Sequence, residues 1–136
     1  MIRTCFSAIL VLCLFGSCHK SELNQPVETT TTFSFFKDEH IALVAFKMEQ
    51  SAARQVTLTF TTRYEKDVKT IEVYSGTTMK NLCSMHEQKI AGDSHQLKTY
   101  QVADNTAGGD VNFYMIKYTT VGGDWAYSPV YQIKMK

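Results

Sequence analysis

From about residue 40 onward, apolar and polar positions along the chain alternate with a period of two. Residues 55–62 read Gln-Val-Thr-Leu-Thr-Phe-Thr-Thr, which puts Val56, Leu58 and Phe60 on one face and threonines on the other. That is the signature of a half-buried strand, built from β-branched and aromatic residues that fit a pleated surface. Residues 70–74 repeat it, with Ile71 and Val73 inward and Glu72 outward. Residues 41–46 are apolar on both faces, Ile41, Leu43 and Ala45 alternating with Ala42, Val44 and Phe46, as expected of a strand covered on both sides. Residues 82–90, 96–103, 111–120 and 125–135 complete the set. In 111–120, Tyr114, Ile116 and Tyr118 share the face expected to be buried, and Phe113 and Met115 share the other. The separators at 75–78, 91–94, 104–110 and 122–124 carry glycine, aspartate, asparagine and serine, the residues of tight turns. No segment sustains a helical period with caps. Seven short strands across residues 40–136 predict an all-β, immunoglobulin-like sandwich.

The first 39 residues follow different rules. Arg3 precedes an apolar run from Cys5 to Phe15, and Gly16 and Ser17 then lead to Cys18. A positive start, a short apolar stretch and small residues form a secretory signal peptide, too short to span a bilayer stably. A cysteine directly after the small residues resembles the lipobox of bacterial lipoproteins, with Phe15 where leucine is usual. The resemblance implies cleavage after residue 17 and lipid on Cys18. Residues 19–32 are mostly polar and end in four threonines, and these fourteen residues have an expected reach of roughly 20 Å, so residues 18–39 are expected to be a lipidated cysteine and flexible tether. By resemblance to sorting rules, His19 points to the outer membrane.

Charge and cysteine content narrow the picture. The full chain has 14 Lys and Arg against 13 Asp and Glu. Loss of Arg3 with the signal peptide makes the two equal, and no basic patch of the kind that tracks phosphates is visible in the sequence, so nucleic acid is not an expected partner. Cys5 and Cys13 leave with the signal peptide and Cys18 is expected to carry lipid, so Cys83 is the one thiol left. The domain then rests on its hydrophobic core rather than on disulfides, with Cys83 expected as a small buried hydrophobe.

Five motifs in order carry a family resemblance. They are 56–62 (Val-Thr-Leu-Thr-Phe-Thr-Thr), 71–75 (Ile-Glu-Val-Tyr-Ser), 99–104 (Thr-Tyr-Gln-Val-Ala-Asp), 112–117 (Asn-Phe-Tyr-Met-Ile-Lys) and 123–128 (Gly-Asp-Trp-Ala-Tyr-Ser). Together with Lys80, Asn81 and Leu82, they resemble the fibronectin type III-like module of secreted and surface proteins of Bacteroidota, over residues 40–136. Phe60 stands where that module usually has tryptophan. Met115 stands where it has arginine, which suggests a covered or sticky patch on that face.

Candidate chemistry is sparse. The turns at 108–110 and 122–124 lie at opposite ends of one strand, roughly 30 Å apart, and neither alone offers the six or more oxygens calcium takes. His19, His40, His86 and His95 show no zinc spacing. Asp93, Ser94 and His95 are adjacent, point apart and read as a turn. Glu65 and Asp67 have no opposing carboxylate pair. The sequence therefore implies no catalytic residue, metal or cofactor. What remains is binding, to a protein or to a glycan. Phe113, Trp125 and Tyr127 read either as core or as an aromatic ladder for sugars. Arg63, Tyr64, Asp124 and Trp125 combine the residue types of interface hot spots. They are the expected binding residues, at the pole carrying 63–67, 91–94 and 122–124. The tether is expected to join there, turning that pole to the membrane. The expected protein is a lipid-anchored, non-catalytic envelope lipoprotein, with a carbohydrate-binding accessory lipoprotein as the alternative.

Overall fold

A computed structural model describes residues 29–32 and 36–136. The expected signal peptide, and Cys18 and His19 with it, lie outside the described residues. Those described contain ten strand segments: β1 (Thr29–Thr32), β2 (Phe36–Lys37), β3 (Ile41–Ala52), β4 (Gln55–Glu65), β5 (Val68–Gly76), β6 (Cys83–Lys89), β7 (Lys98–Asp104), β8 (Val111–Thr120), β9 (Trp125–Tyr127) and β10 (Tyr131–Lys134). They form two antiparallel sheets. In the first, the order is β1, β3, β4, β7, with β2 also on β3; in the second it is β10, β8, β5, β6, with β9 also on β8. The chain changes sheet between β4 and β5, between β6 and β7, and between β7 and β8. The result is an immunoglobulin-like sandwich.

Two rows are interrupted. β9 pairs with residues 117–119 of β8 and β10 with residues 111–114, so they are two halves of one edge strand. Pro129 lacks the N–H a ladder needs, and Ser128 spans the gap. Its N–H donates to Ile116 O at 2.8 Å, and its Oγ accepts the Ile116 N–H at 2.9 Å. β1 and β2 likewise share the free edge of β3. The sandwich is thus four rows on four, one more than the seven expected, and the extra row is built by residues 29–32 and 36–37. These residues were expected in the tether; they pair as strands because the edge of β3 offers unmet backbone donors and acceptors.

The added row also relocates where the leader enters. Thr29 pairs with Glu49 and Thr32 with Phe46, so the described chain begins toward the β3–β4 hairpin at 52–55. That is the pole opposite the one expected.

The core is the inward face of both sheets. Val56, Leu58 and Phe60 of β4, Ile71 and Val73 of β5, and Tyr114, Ile116 and Tyr118 of β8 are all buried, as the alternation implies. Phe46 stacks on Tyr131 across the sandwich, with centroids 4.1 Å apart. β3 departs from strict alternation. A register shift between Leu43 and Ala45 lets Val44 bulge, so the inward set runs Ile41, Leu43, Phe46, Met48. A shift between Ile41 and Leu43 does the same on β4, turning both Thr62 and Glu65 inward although they are three residues apart. Cys83 is exposed rather than buried. It begins β6, an edge strand that pairs only with β5 and leaves most of its side chains outside the core.

Candidate functional site

The outer face of the second sheet is assembled in cross-strand rows. One row runs Trp125 on β9, Thr119 on β8, Thr70 on β5 and Lys89 on β6. The next runs Tyr127, Lys117, Glu72 and Glu87, and a third Met115, Tyr74 and Ser84. These residues face outward because their neighbours Ile71, Val73, Ile116 and Tyr118 face the core and strand side chains alternate.

Trp125 begins β9 directly after the turn at 122–124. Gly123 takes φ 94° there, a left-handed conformation that favours glycine. The turn is closed by the Thr120 N–H donating to Asp124 O at 2.7 Å and the Asp124 N–H donating to Thr120 Oγ1 at 3.0 Å. Ala126 then packs on the core, which turns Trp125 and Tyr127 to solvent at 60% and 40% exposure. Their rings meet edge to face at 5.2 Å, and Tyr127 meets Tyr74 in the same way at 6.0 Å. Lys117 Nζ lies 5.9 Å from the Trp125 ring centroid and 3.2 Å from Glu72 Oε2. The hydrogen bond to Glu72 raises the Lys117 pKa and keeps the ammonium charged. Burial against the sheet, with Glu72 next, raises that of Tyr74. The aromatic ladder is therefore Trp125, Tyr127 and Tyr74 around a fixed ion pair. Phe113 sits farther along β8, opposite Gly76 and Gln132.

Beside this ladder the same face holds a cleft of about 560 Å³, lined by Lys69, Thr70, Glu72, Glu87, Lys89, Thr119 and the half-buried Ile90. Thr70 and Glu72 come from β5, Glu87 and Lys89 from β6, and Thr119 from β8, so three strands build it.

The four expected binding residues do not converge. Asp124 and Trp125 are neighbours in the β8–β9 turn. Arg63 and Tyr64 lie on β4, in the other sheet. Tyr64 uses its hydroxyl to donate to the backbone oxygen of Asp38. The Asp38 carboxylate accepts from the Tyr118 hydroxyl, from the His40 N–H at 2.8 Å and from the Ile41 N–H at 2.9 Å. Tyr64 thus fastens the entry of β3 to the sandwich. Arg63 borders a separate small depression of about 100 Å³ with Lys37 and Val44.

Among the described residues two carboxylates are buried, Glu65 and Asp104, and each is engaged within the fold. Glu65 accepts from Thr62 Oγ1 at 2.9 Å and the Tyr100 hydroxyl at 2.5 Å on one oxygen, and from Lys98 Nζ at 2.8 Å on the other. Asp104 accepts from the Tyr114 hydroxyl at 2.9 Å and from both the N–H and the Oγ1 of Thr106 at 2.8 Å. The turn at 93–95 is also structural: Ser94 exchanges both backbone hydrogen bonds with Glu65 at 2.8 Å, and Asp93 accepts the Asp67 N–H at 2.7 Å. Asp67 takes φ 54°, left-handed for a non-glycine residue, and the Asp93 carboxylate stabilises it there. Among the described residues no group of three or more His, Cys, Asp or Glu is gathered as for a metal.

Comparison of the chain with protein-family models, characterised proteins and solved structures returns no match.

Proposed function

We propose that this chain is a lipid-anchored protein of the bacterial cell envelope, held at Cys18 in the outer membrane, whose sandwich is a non-catalytic interaction module of the fibronectin type III kind. The observation that carries this reading is the exposed aromatic ladder of Trp125, Tyr127 and Tyr74 on a rigid sheet. Large aromatics left in solvent together are the anchors of binding surfaces. The buried carboxylates lend support, since their oxygens are engaged by donors from within the fold.

The entry of the chain adds an orientation. Cys18 precedes Thr29, and Thr29 lies toward the β3–β4 hairpin. A lipid at Cys18 therefore connects to that pole, and the β8–β9 turn with Trp125 lies toward the opposite one.

A photo-crosslinking phenylalanine derivative in place of Tyr127, compared with one in place of Gln101 on the outer face of β7, tests the reading in intact cells. Adducts with protein or carbohydrate are expected at position 127 and not at 101. Equal yields at the two positions would overturn the choice of face.

A further inference from the structure

We infer that the cleft beside Trp125 binds a neutral oligosaccharide, an inference that rests on the outer face of the second sheet being the interaction surface. Three observations select this class of ligand. The first is size: about 560 Å³ falls within the ~300–1,000 Å³ of ligand sites.

The second is the balance of charge. Lys69, Lys89, Glu72 and Glu87 all line the cleft, two of each sign, with Glu72 held also by Lys117 at 3.2 Å. A polyanion would meet two carboxylates there. An apolar ligand would strip water from four ionic groups and return no hydrogen bond. A ligand rich in hydroxyls fits both signs, because each hydroxyl donates to a carboxylate and accepts from an ammonium. Thr70 and Thr119 add two more groups able to do either.

The third is the position of Trp125. It ends the cross-strand row whose other members, Thr119, Thr70 and Lys89, line the cleft. Its ring offers an apolar face to the C–H face of a sugar. Lys117 lies near that ring and is itself paired with Glu72, so the platform is held before any ligand arrives. Four strands at ~4.8 Å spacing put Trp125 and Lys89 roughly 14 Å apart. That is longer than one sugar ring, so the ligand is an oligosaccharide lying across the strands, stacked at the Trp125 end and hydrogen-bonded at the Lys89 end.

Trp125 is the sole tryptophan of the chain, so its emission reports directly on stacking. The experiment is an array of neutral, sialylated and sulfated oligosaccharides probed with the full-length protein, followed by fluorescence titration with the neutral oligosaccharides that bind. A saturable change in emission is expected with neutral members. Trp125→Ala and Glu87→Gln should each weaken array binding at least tenfold, and Gln101→Ala on the other sheet should leave it unchanged. All three positions are exposed, so the melting temperatures should match wild type. Binding only to acidic glycans, binding that survives Trp125→Ala, or a silent neutral array would each overturn the inference. A silent array together with protein adducts at position 127 would remove the oligosaccharide and keep the face. A silent array with no selective adducts would remove both.

Discussion

Phe60 is the residue whose loss should weaken the domain most simply. It is 1% exposed, faces Phe46 across β3 and β4, and stacks on Tyr100 with centroids 5.0 Å apart. Phe60→Ala removes the ring and leaves a cavity that strands on both sides cannot collapse to fill. A loss of about 3–5 kcal/mol is expected in urea unfolding, a large part of the ~5–15 kcal/mol a domain commonly has. A midpoint close to wild type would show that the ring is not in the core. The two tyrosines that donate to buried carboxylates, the half-buried Tyr100 and the buried Tyr114, set a second expectation. Tyr100 and Tyr114 have pKa values raised, first by burial and then by the carboxylates Glu65 and Asp104 to which they donate. Unfolded tyrosine ionises near pH ~10. The folded state holds these protons more tightly, so their contribution is complete below that pH and declines as pH rises through and beyond it. Unfolding midpoints should therefore fall between neutral pH and pH ~11, and Tyr114→Phe should flatten the decline. An unchanged slope in that variant would locate the alkaline sensitivity elsewhere.

At the scale of elements, the interrupted edge strand is the place where one side chain substitutes for a ladder. Pro129 withholds an N–H between β9 and β10, and Ser128 Oγ takes the Ile116 N–H in a site 6% exposed. Ser128→Ala leaves that N–H buried without an acceptor, so a cost of about 1–3 kcal/mol is expected, read as a lowered unfolding midpoint. Hydrogen exchange at Ile116 should speed up with it; unaltered exchange would mean that another group accepts this N–H. The loop after β5 is tight in a different way. A Cβ on Gly76 would lie 2.3 Å from the backbone oxygen of Asn81, so only glycine lets the strand end against that chain. Outer-face rows belong to this scale too. Trp125 and Tyr127 stand on a three-residue strand, and they stay in solvent because Ala126 between them fills the inward site.

For the whole molecule, the proposed arrangement is a lipid anchor, a leader and a sandwich, of which the described residues form the sandwich. Among the described residues the chain starts along β3 at the hairpin pole, and β1 and β2 cover an edge that would otherwise be open to other strands. The anchoring reading carries its own test. Acyl chains give about 0.8 kcal/mol per buried CH₂, and stable anchoring takes two signals, which the several chains of a lipoprotein cysteine supply. Cys18→Ser should abolish metabolic labelling with palmitate and release the protein from the membrane fraction or leave it unprocessed. Label retained by the Cys18→Ser protein would remove the lipoprotein reading.

The sequence by itself determined the class of fold and much of its core. The alternation in 55–62, 70–74 and 111–120 names the buried residues, because strand side chains point to opposite faces with a period of two. It also singled out Trp125, since a lone tryptophan after a glycine turn stands out without any partner. Only the tertiary structure decided the rest. Bulges at Val44 and between Thr62 and Glu65 change parity, and a change of parity is invisible to a pattern that assumes none. The four threonines of β1 read as polar tether in sequence, yet they lie as a strand because β3 has a free edge for their backbone groups. The partners of Trp125 across the sheet, Thr119, Thr70 and Lys89, come from three separate strands, and pairing register alone sets them in one row. Arg63 and Tyr64 share a pole with Trp125 but occupy the other sheet, because nearness at one end of a sandwich does not fix the face on which a side chain stands.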